Sequence, residues 1–248
     1  MLKEIIIAIQ SYAEAHRFVK EHKLIRWIII PGIIYALFFL AGMYFFSASA
    51  TGVIEYLTDV TGASEWIQSI RSGWIGFLFT LSGVILWLVL LLFYFSLFKY
   101  VWLILGAPVF AYLSEKTDAS MEGKEFTAST KELLKDSLPG MKVAIRNCLW
   151  QILYFAGLIL LCFVPVIGMI APVIALFVEC YYYGFSMIHY SLDRKKIPSA
   201  QSVMFINNRK GLAIGNGLVF YLMHILIIFA PAYAIIAATL SLRNVKIN

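Results

Sequence analysis

Residues 74–98 read WIGFLFTLSGVILWLVLLLFYFSLF, 25 residues without a charged side chain, closed by Lys99. As a helix such a run reaches roughly 37 Å, more than the roughly 30 Å of hydrocarbon in a bilayer. A backbone placed there must satisfy its own N–H and C=O groups, which selects a helix. Toward the N-terminus, residues 27–46 form a second uncharged run of 20 residues, with Pro31 close to its start, where proline is tolerated. Ahead of it, residues 2–22 carry Leu2, Ile5, Ile6, Ile9, Tyr12, Ala13 and Val19 at three- and four-residue steps. Lys3, Gln10, Glu14, Arg17 and Glu21 fall on the other side. That pattern predicts an amphipathic helix lying on the membrane.

Toward the C-terminus, the apolar stretch 100–113 is interrupted at Gly106-Ala107-Pro108. At about 20 Å it is too short to cross, and it predicts a continuation of the second span that bends at the Gly-Ala-Pro. The polar block 115–146 contains Ser129 and Glu132 at capping-box spacing, predicting a helix that ends at Pro139-Gly140. Two apolar helical hairpins follow. The first, 148–190, has arms Cys148–Phe163 and Val173–Tyr190 around the uncharged turn VPVIGMIAP; the second, 212–242, has arms Leu212–Phe229 and Ala232–Leu242 meeting at Ala230-Pro231. A turn emerging into water normally carries polar residues, so uncharged tips point to turns buried in membrane and protein. The expected fold is therefore an all-α integral membrane protein forming one membrane domain over 1–248. It has two full transmembrane helices, two helical hairpins that penetrate the bilayer only partly, and interfacial amphipathic helices.

Composition agrees: 61% of residues are hydrophobic and 14% charged, against roughly 45–50% and about 25% in soluble domains. A soluble enzyme, a disordered tail and a disulfide scaffold are excluded by that balance. The net charge of +6 does not point to nucleic acid, because the bases flank apolar runs. Lys and Arg number five in residues 1–26, one in 47–72, six in 115–146 and five in 189–211. By the positive-inside rule only 47–72 faces out, and both termini are cytoplasmic. The first 26 residues are charged throughout and the run behind them is too long for an h-region, so no cleavable signal peptide is expected. Cys148, Cys162 and Cys180 sit in apolar stretches as core filler. No nucleophile–base pair, paired carboxylates, zinc motif or nucleotide loop appears, so neither an enzyme nor a cofactor is expected.

Lys23 and Arg26 stand at the mouth of the first span, where free helix N–H groups and a positive dipole end favour an anion. The competing reading makes both of them positive-inside anchors that reach lipid phosphate. Glu179 lies inside an apolar arm, and an intramembrane acid is a functional candidate, here for proton coupling. Its structural alternative is a partnership with Lys99, Gln151 or a tyrosine of Tyr181-Tyr182-Tyr183. His189 and Asp193, four apart, favour a cap or an ion pair with Arg194 over a metal. His224 reads as a packing histidine ahead of a proton relay, and Gly215-Asn216-Gly217 as close helix packing.

The segment Phe163-Val164-Pro165-Val166-Ile167-Gly168, with Ala171-Pro172-Val173, Tyr190-Ser191-Leu192-Asp193 and Asn208-Arg209-Lys210-Gly211, resembles the CysZ sulfate permeases, of the family of etoposide-induced membrane proteins. Leu105-Gly106-Ala107-Pro108-Val109-Phe110 with Leu113 and Glu115 is similar to that family's Ala-Pro segment, and Lys23 to Pro31 to the stretch leading into its first span. The resemblance, over roughly residues 10–243, implies a bacterial inner-membrane homo-oligomer that carries sulfate or a similar oxyanion inward for cysteine synthesis. It also implies that a Gly-hydrophobic-Arg motif before the first span holds the anion. Here the matching residues read Lys23-Leu24-Ile25-Arg26, with lysine in place of the glycine, Ile25 at one arginine position and only Arg26 kept. A member that has drifted this way also fits a second class, a membrane scaffold or regulatory protein that transports nothing.

The topology is testable directly. Single cysteines at Ser64 and Thr127 in a cysteine-free background are expected to react with impermeant reagent from opposite sides of the membrane. Equal labelling of both from outside would overturn the assignment.

Overall fold

A computed structural model of the chain describes residues 1–60, 74–124, 130–164 and 167–245. Among them are nine α-helices and no strand: α1 Leu2–Glu21, α2 Ile25–Val60, α3 Trp74–Leu105, α4 Ala107–Met121, α5 Thr130–Cys162, α6 Ala171–Arg194, α7 Ser199–Asn208, α8 Lys210–Met223 and α9 Ala230–Arg243. Short 3-10 turns at Ile167–Ile170 and His224–Leu226 lie at the two hairpin tips. The expected outward block 47–72 belongs to α2 as far as Val60. Its remainder, with Ser64, Thr127, the Ser129 of the capping box and Pro165-Val166 of the first turn, lies outside the described residues.

Four stretches have the length and hydropathy to cross a bilayer: Ile25–Ser49, Thr80–Leu105, Ser137–Cys162 and Ile167–Arg194. These are the two expected spans and both arms of the first hairpin. The arms of the second hairpin, α8 and α9, have 14 residues each, about 21 Å. The second span ends at Leu105 and turns at Gly106, whose N–H donates to Trp102 O at 2.7 Å, before α4 starts with Pro108 in its first turn. That is the bend the Gly-Ala-Pro predicts.

One expectation is corrected. The helix expected to stop at Pro139-Gly140 runs on without a break into the first hairpin arm, as the 33-residue α5. Proline in a helix interior costs a hydrogen bond, and packing offsets it: the bare face of Gly140 receives the ring of the buried Tyr190 from α6, with the Tyr190 hydroxyl donating to Leu103 O at 2.8 Å. Helix α1 presents one face to the protein and leaves most of its predicted stripe outward. The face it buries is Ala8, Ser11, Tyr12, Ala15, Phe18 and Val19, while Leu2, Ile6, Ile9 and Ala13 of the predicted apolar stripe are exposed. The small side of α1 sits on α8, where Ala8 and Ile5 approach Gly215. Tyr12 Oη donates to Asn216 O at 2.8 Å, and Glu4 Oε2 accepts the Gly211 N–H at 3.0 Å at the start of α8. Large isoleucines keep a helix away from a partner; alanine and serine let it close.

The centre of the molecule is α9. From Ala230 to Leu242 all its residues but Tyr233 are buried, against α1, α4, α6 and α8. Helix α6 crosses α8 on facing small residues at four-residue spacing, Cys180 with Gly184 and Ala213 with Gly217. A methyl group at Gly184 would overlap the Ala213 backbone, and one at Gly217 the Cys180 backbone. The tip of the second hairpin meets α2 early in its course, Ile228 lying on Gly32 and His224 against Tyr35 and Phe39.

Gly184→Ala and Gly217→Ala are each expected to destabilise by about 1–3 kcal/mol through overpacking. Gly83→Ala and Gly157→Ala, whose Cβ positions are open, should be neutral or slightly stabilising. Melting temperatures of the four purified variants in one detergent check the contrast.

Candidate functional site

Helix α1 ends in a paired-bond cap: Leu24 N–H donates to Val19 O at 3.1 Å and Lys23 N–H to Lys20 O at 3.3 Å, with Lys23 at φ 52°. This Schellman geometry needs a left-handed residue, the usual place of glycine. Leu24 and Ile28 are fully buried and pin the corner, while Lys23, Ile25 and Arg26 face outward. Helix α2 begins here, and its first-turn amides have no carbonyl a turn earlier to pair with, apart from the Trp27 N–H taken by Leu24 O at 3.0 Å. Neither Lys23 nor Arg26 forms a side-chain hydrogen bond or ion pair with the described residues. A third cation lies next to them, since Lys116 of α4 sits 4.9 Å from the centre of the Trp27 ring. Two exposed cations, a third on the neighbouring ring and a helix start form an arrangement that attracts an anion.

Glu179 has a different setting. It is 0% exposed and its carboxylate takes three donors: Lys99 Nζ at 2.5 Å, Gln151 Nε2 at 2.6 Å and the Tyr221 hydroxyl. Gln151 Oε1 in turn accepts Lys99 Nζ at 2.9 Å and Tyr100 Oη at 2.7 Å. Lys99 is 3% exposed. The partners Lys99 and Gln151 were legible as polar residues in apolar runs. The tyrosine was not: Tyr181 and Tyr182 face another way, and Tyr221 comes from the second hairpin, which no local spacing connects to Glu179. The acid therefore has a cation beside it and every oxygen engaged.

The remaining candidates separate. His224 is packed among the rings of Phe39, Phe220, Tyr35 and Phe95 at 5.0 to 6.0 Å between centres. His189 is buried with no hydrogen-bond partner at either ring nitrogen among the described residues. Arg194 of α6 lies 3.9 Å from Glu115 of α4. Among the described residues no three His, Cys, Asp or Glu side chains gather as metal ligands. Cys162 and Cys180 are buried and Cys148 is half-buried, all three as free thiols.

Compared with protein families, residues 11–238 match the one described as sulfate transporter CysZ/etoposide-induced protein 2.4. A search of curated proteins gave no match.

The buried pair makes a prediction of opposite signs. Lys99→Met or Glu179→Gln alone removes one partner and is expected to cost about 3–5 kcal/mol, because the other charge stays buried. Lys99→Met combined with Glu179→Gln should cost less than either single change. Thermal unfolding of the four proteins closes the cycle, and simple additivity would contradict the coupling.

Proposed function

Because the chain belongs to the sulfate transporter CysZ/etoposide-induced protein 2.4 family, we propose that this multi-pass membrane protein is a transporter or channel for a small oxyanion, sulfate first. It would act in a bacterial inner membrane as a homo-oligomer, with both termini cytoplasmic, supplying sulfate for cysteine synthesis and carrying out no chemical step of its own. The observation that carries this reading is the corner at Lys23–Arg26. Where the CysZ pattern has glycine, the backbone still takes the glycine-type conformation, φ 52° at Lys23. The path that brings helix-start amides and Arg26 together is thus kept, and the substituted residue adds an ammonium group. Holding a non-glycine residue there costs about 1–2 kcal/mol, a cost the positive charge offsets if it serves binding.

Sulfate is recognised in this reading by the Arg26 guanidinium, first-turn amides of α2 and Lys23. The second hairpin would penetrate the membrane only partly. Its arms are too short to cross, and its tip meets α2 between Gly32 and Phe39, about 10 to 21 Å along the helix from Ile25. Glu179, paired with Lys99, would hold the bundle together. A proton-coupling role would show as pH-dependent uptake that Glu179→Gln abolishes.

Arg26→Ala is expected to weaken sulfate binding roughly ten- to a hundredfold, the worth of a charged hydrogen bond of about 1.5–3 kcal/mol. Arg26→Lys should recover part of it, keeping charge and losing the fork. Lys23→Gly should melt higher yet bind sulfate more weakly. Calorimetric titration of sulfate, with radiolabelled uptake into proteoliposomes, checks all three; a wild type that binds none at millimolar sulfate contradicts the permease reading. Lipid anchors would behave otherwise, since lysine would replace Arg26 fully and the damage would appear in insertion.

A further inference from the structure

A second cationic locus lies away from the corner, on the side of the bundle where α5 and α6 meet the junction of α7 and α8. A cavity of about 260 Å³ is lined there by Arg146 and Asn147 of α5, Tyr182 of α6 and Asn207 of α7. It adjoins one of about 600 Å³ that shares Tyr154, Tyr182 and Asn207 and adds Lys210 at the start of α8. The two share walls, and each contains a cation and no carboxylate on its lining.

Arg146 is poised and only partly used. Its guanidinium lies 5.5 Å from the centre of the Phe185 ring, and Nη2 donates to Asn147 Oδ1 at 3.0 Å. Its Nε–H is buried with no acceptor among the described residues. Such a donor in a native site calls for a ligand or water. Asn207 Oδ1 is already taken by the Tyr181 hydroxyl at 2.9 Å, which turns the amide NH2 of Asn207 away as a donor. Arginine, lysine, an amide donor and tyrosine hydroxyls are the set that a tetrahedral oxyanion accepts from. Beyond them the wall is apolar and outward, with Trp150 at 52% and Phe177 at 58% exposure.

We propose that this cleft is an oxyanion site distinct from the Lys23–Arg26 corner, in which Arg146 and Lys210 hold a phosphate or sulfate group with hydrogen bonds from Asn207 and from Tyr154, whose hydroxyl is itself hydrogen-bonded to Tyr182. The chemistry is shared by two sources, the phosphodiester of an anionic phospholipid whose chains run over Phe177 and Trp150, and a free inorganic oxyanion. The assignment does not depend on transport.

The test uses the full-length protein with Arg146→Gln and with Lys210→Gln. One arm is native mass spectrometry after reconstitution in phosphatidylglycerol, counting retained lipid. The other is calorimetric titration with inorganic sulfate and phosphate. Retained phosphatidylglycerol falling tenfold or more in the variants, with titrations as in wild type, identifies a headgroup. A tenfold or greater loss of free-anion affinity with unchanged lipid identifies a free oxyanion, and loss in both arms shows one site serving both. Lys210 is exposed, so its variant remains informative if Arg146→Gln fails to fold. Lys210→Gln matching wild type in both arms overturns the proposal. So does a free-anion loss that follows Arg26→Ala alone, which would instead locate binding at the corner.

Discussion

A lysine and a glutamate shut away from water must find in each other what water gave them, and that requirement fixes where the helices of this bundle meet. Lys99 comes from α3, Gln151 from α5, Glu179 from α6 and Tyr221 from α8. A rotation of any of the four by one residue swings its polar group about 100° away and strands the others in an apolar medium. Apolar packing alone tolerates such slippage, because lipid competes for the same surfaces. The polar knot does not. It ties one long span to both hairpins and selects a single register, as buried polar groups do in the best-attested cases.

Among the described cations two settings stand apart. Lys99 is consumed by the fold. Lys23, Arg26, Arg146 and Lys210 have no carboxylate partner among the described residues and face openings at the corner or in the lateral cleft. Charge held in reserve at a membrane surface is expensive only if desolvated. An oxyanion that arrives with its own negative charge meets donors already oriented by a helix start or by a ring beneath the guanidinium, so little ordering is left to do on binding.

Much of this was legible in the sequence for a physical reason: hydrocarbon allows few solutions. Uncharged runs of 20 and 25 residues could only be helices, and Gly106-Ala107-Pro108 could only bend one. What stayed hidden depended on partners far along the chain. Pro139-Gly140 looks like a stop because the local rule says so, and only the ring of Tyr190, fifty residues on, makes it part of a continuous helix. The protein-facing side of α1 stayed hidden because contact between helices here goes to Ala8, Ser11 and Ala15, while the larger Leu2, Ile6 and Ile9 stay exposed. For the site, Lys23 and Arg26 could be named from charge and position, but the left-handed turn at Lys23 could not, since nothing in a lysine announces it. Arg146 was read only as one more base beside an apolar arm.

The place of α9 carries a consequence for how the molecule is made. The helix at its centre, Ala230–Arg243, is synthesised after the elements that enclose it, and it packs on α1, which lies far ahead of it in the chain. Tyr12 waits for Asn216 across 204 residues. Until that stretch emerges, α1 has no protein partner for its small-residue face and must be held by the membrane surface, its exposed isoleucines in the lipid. Assembly therefore waits for Ala230–Arg243: a nascent chain arrested before Ala230 lacks the helix that fills its core.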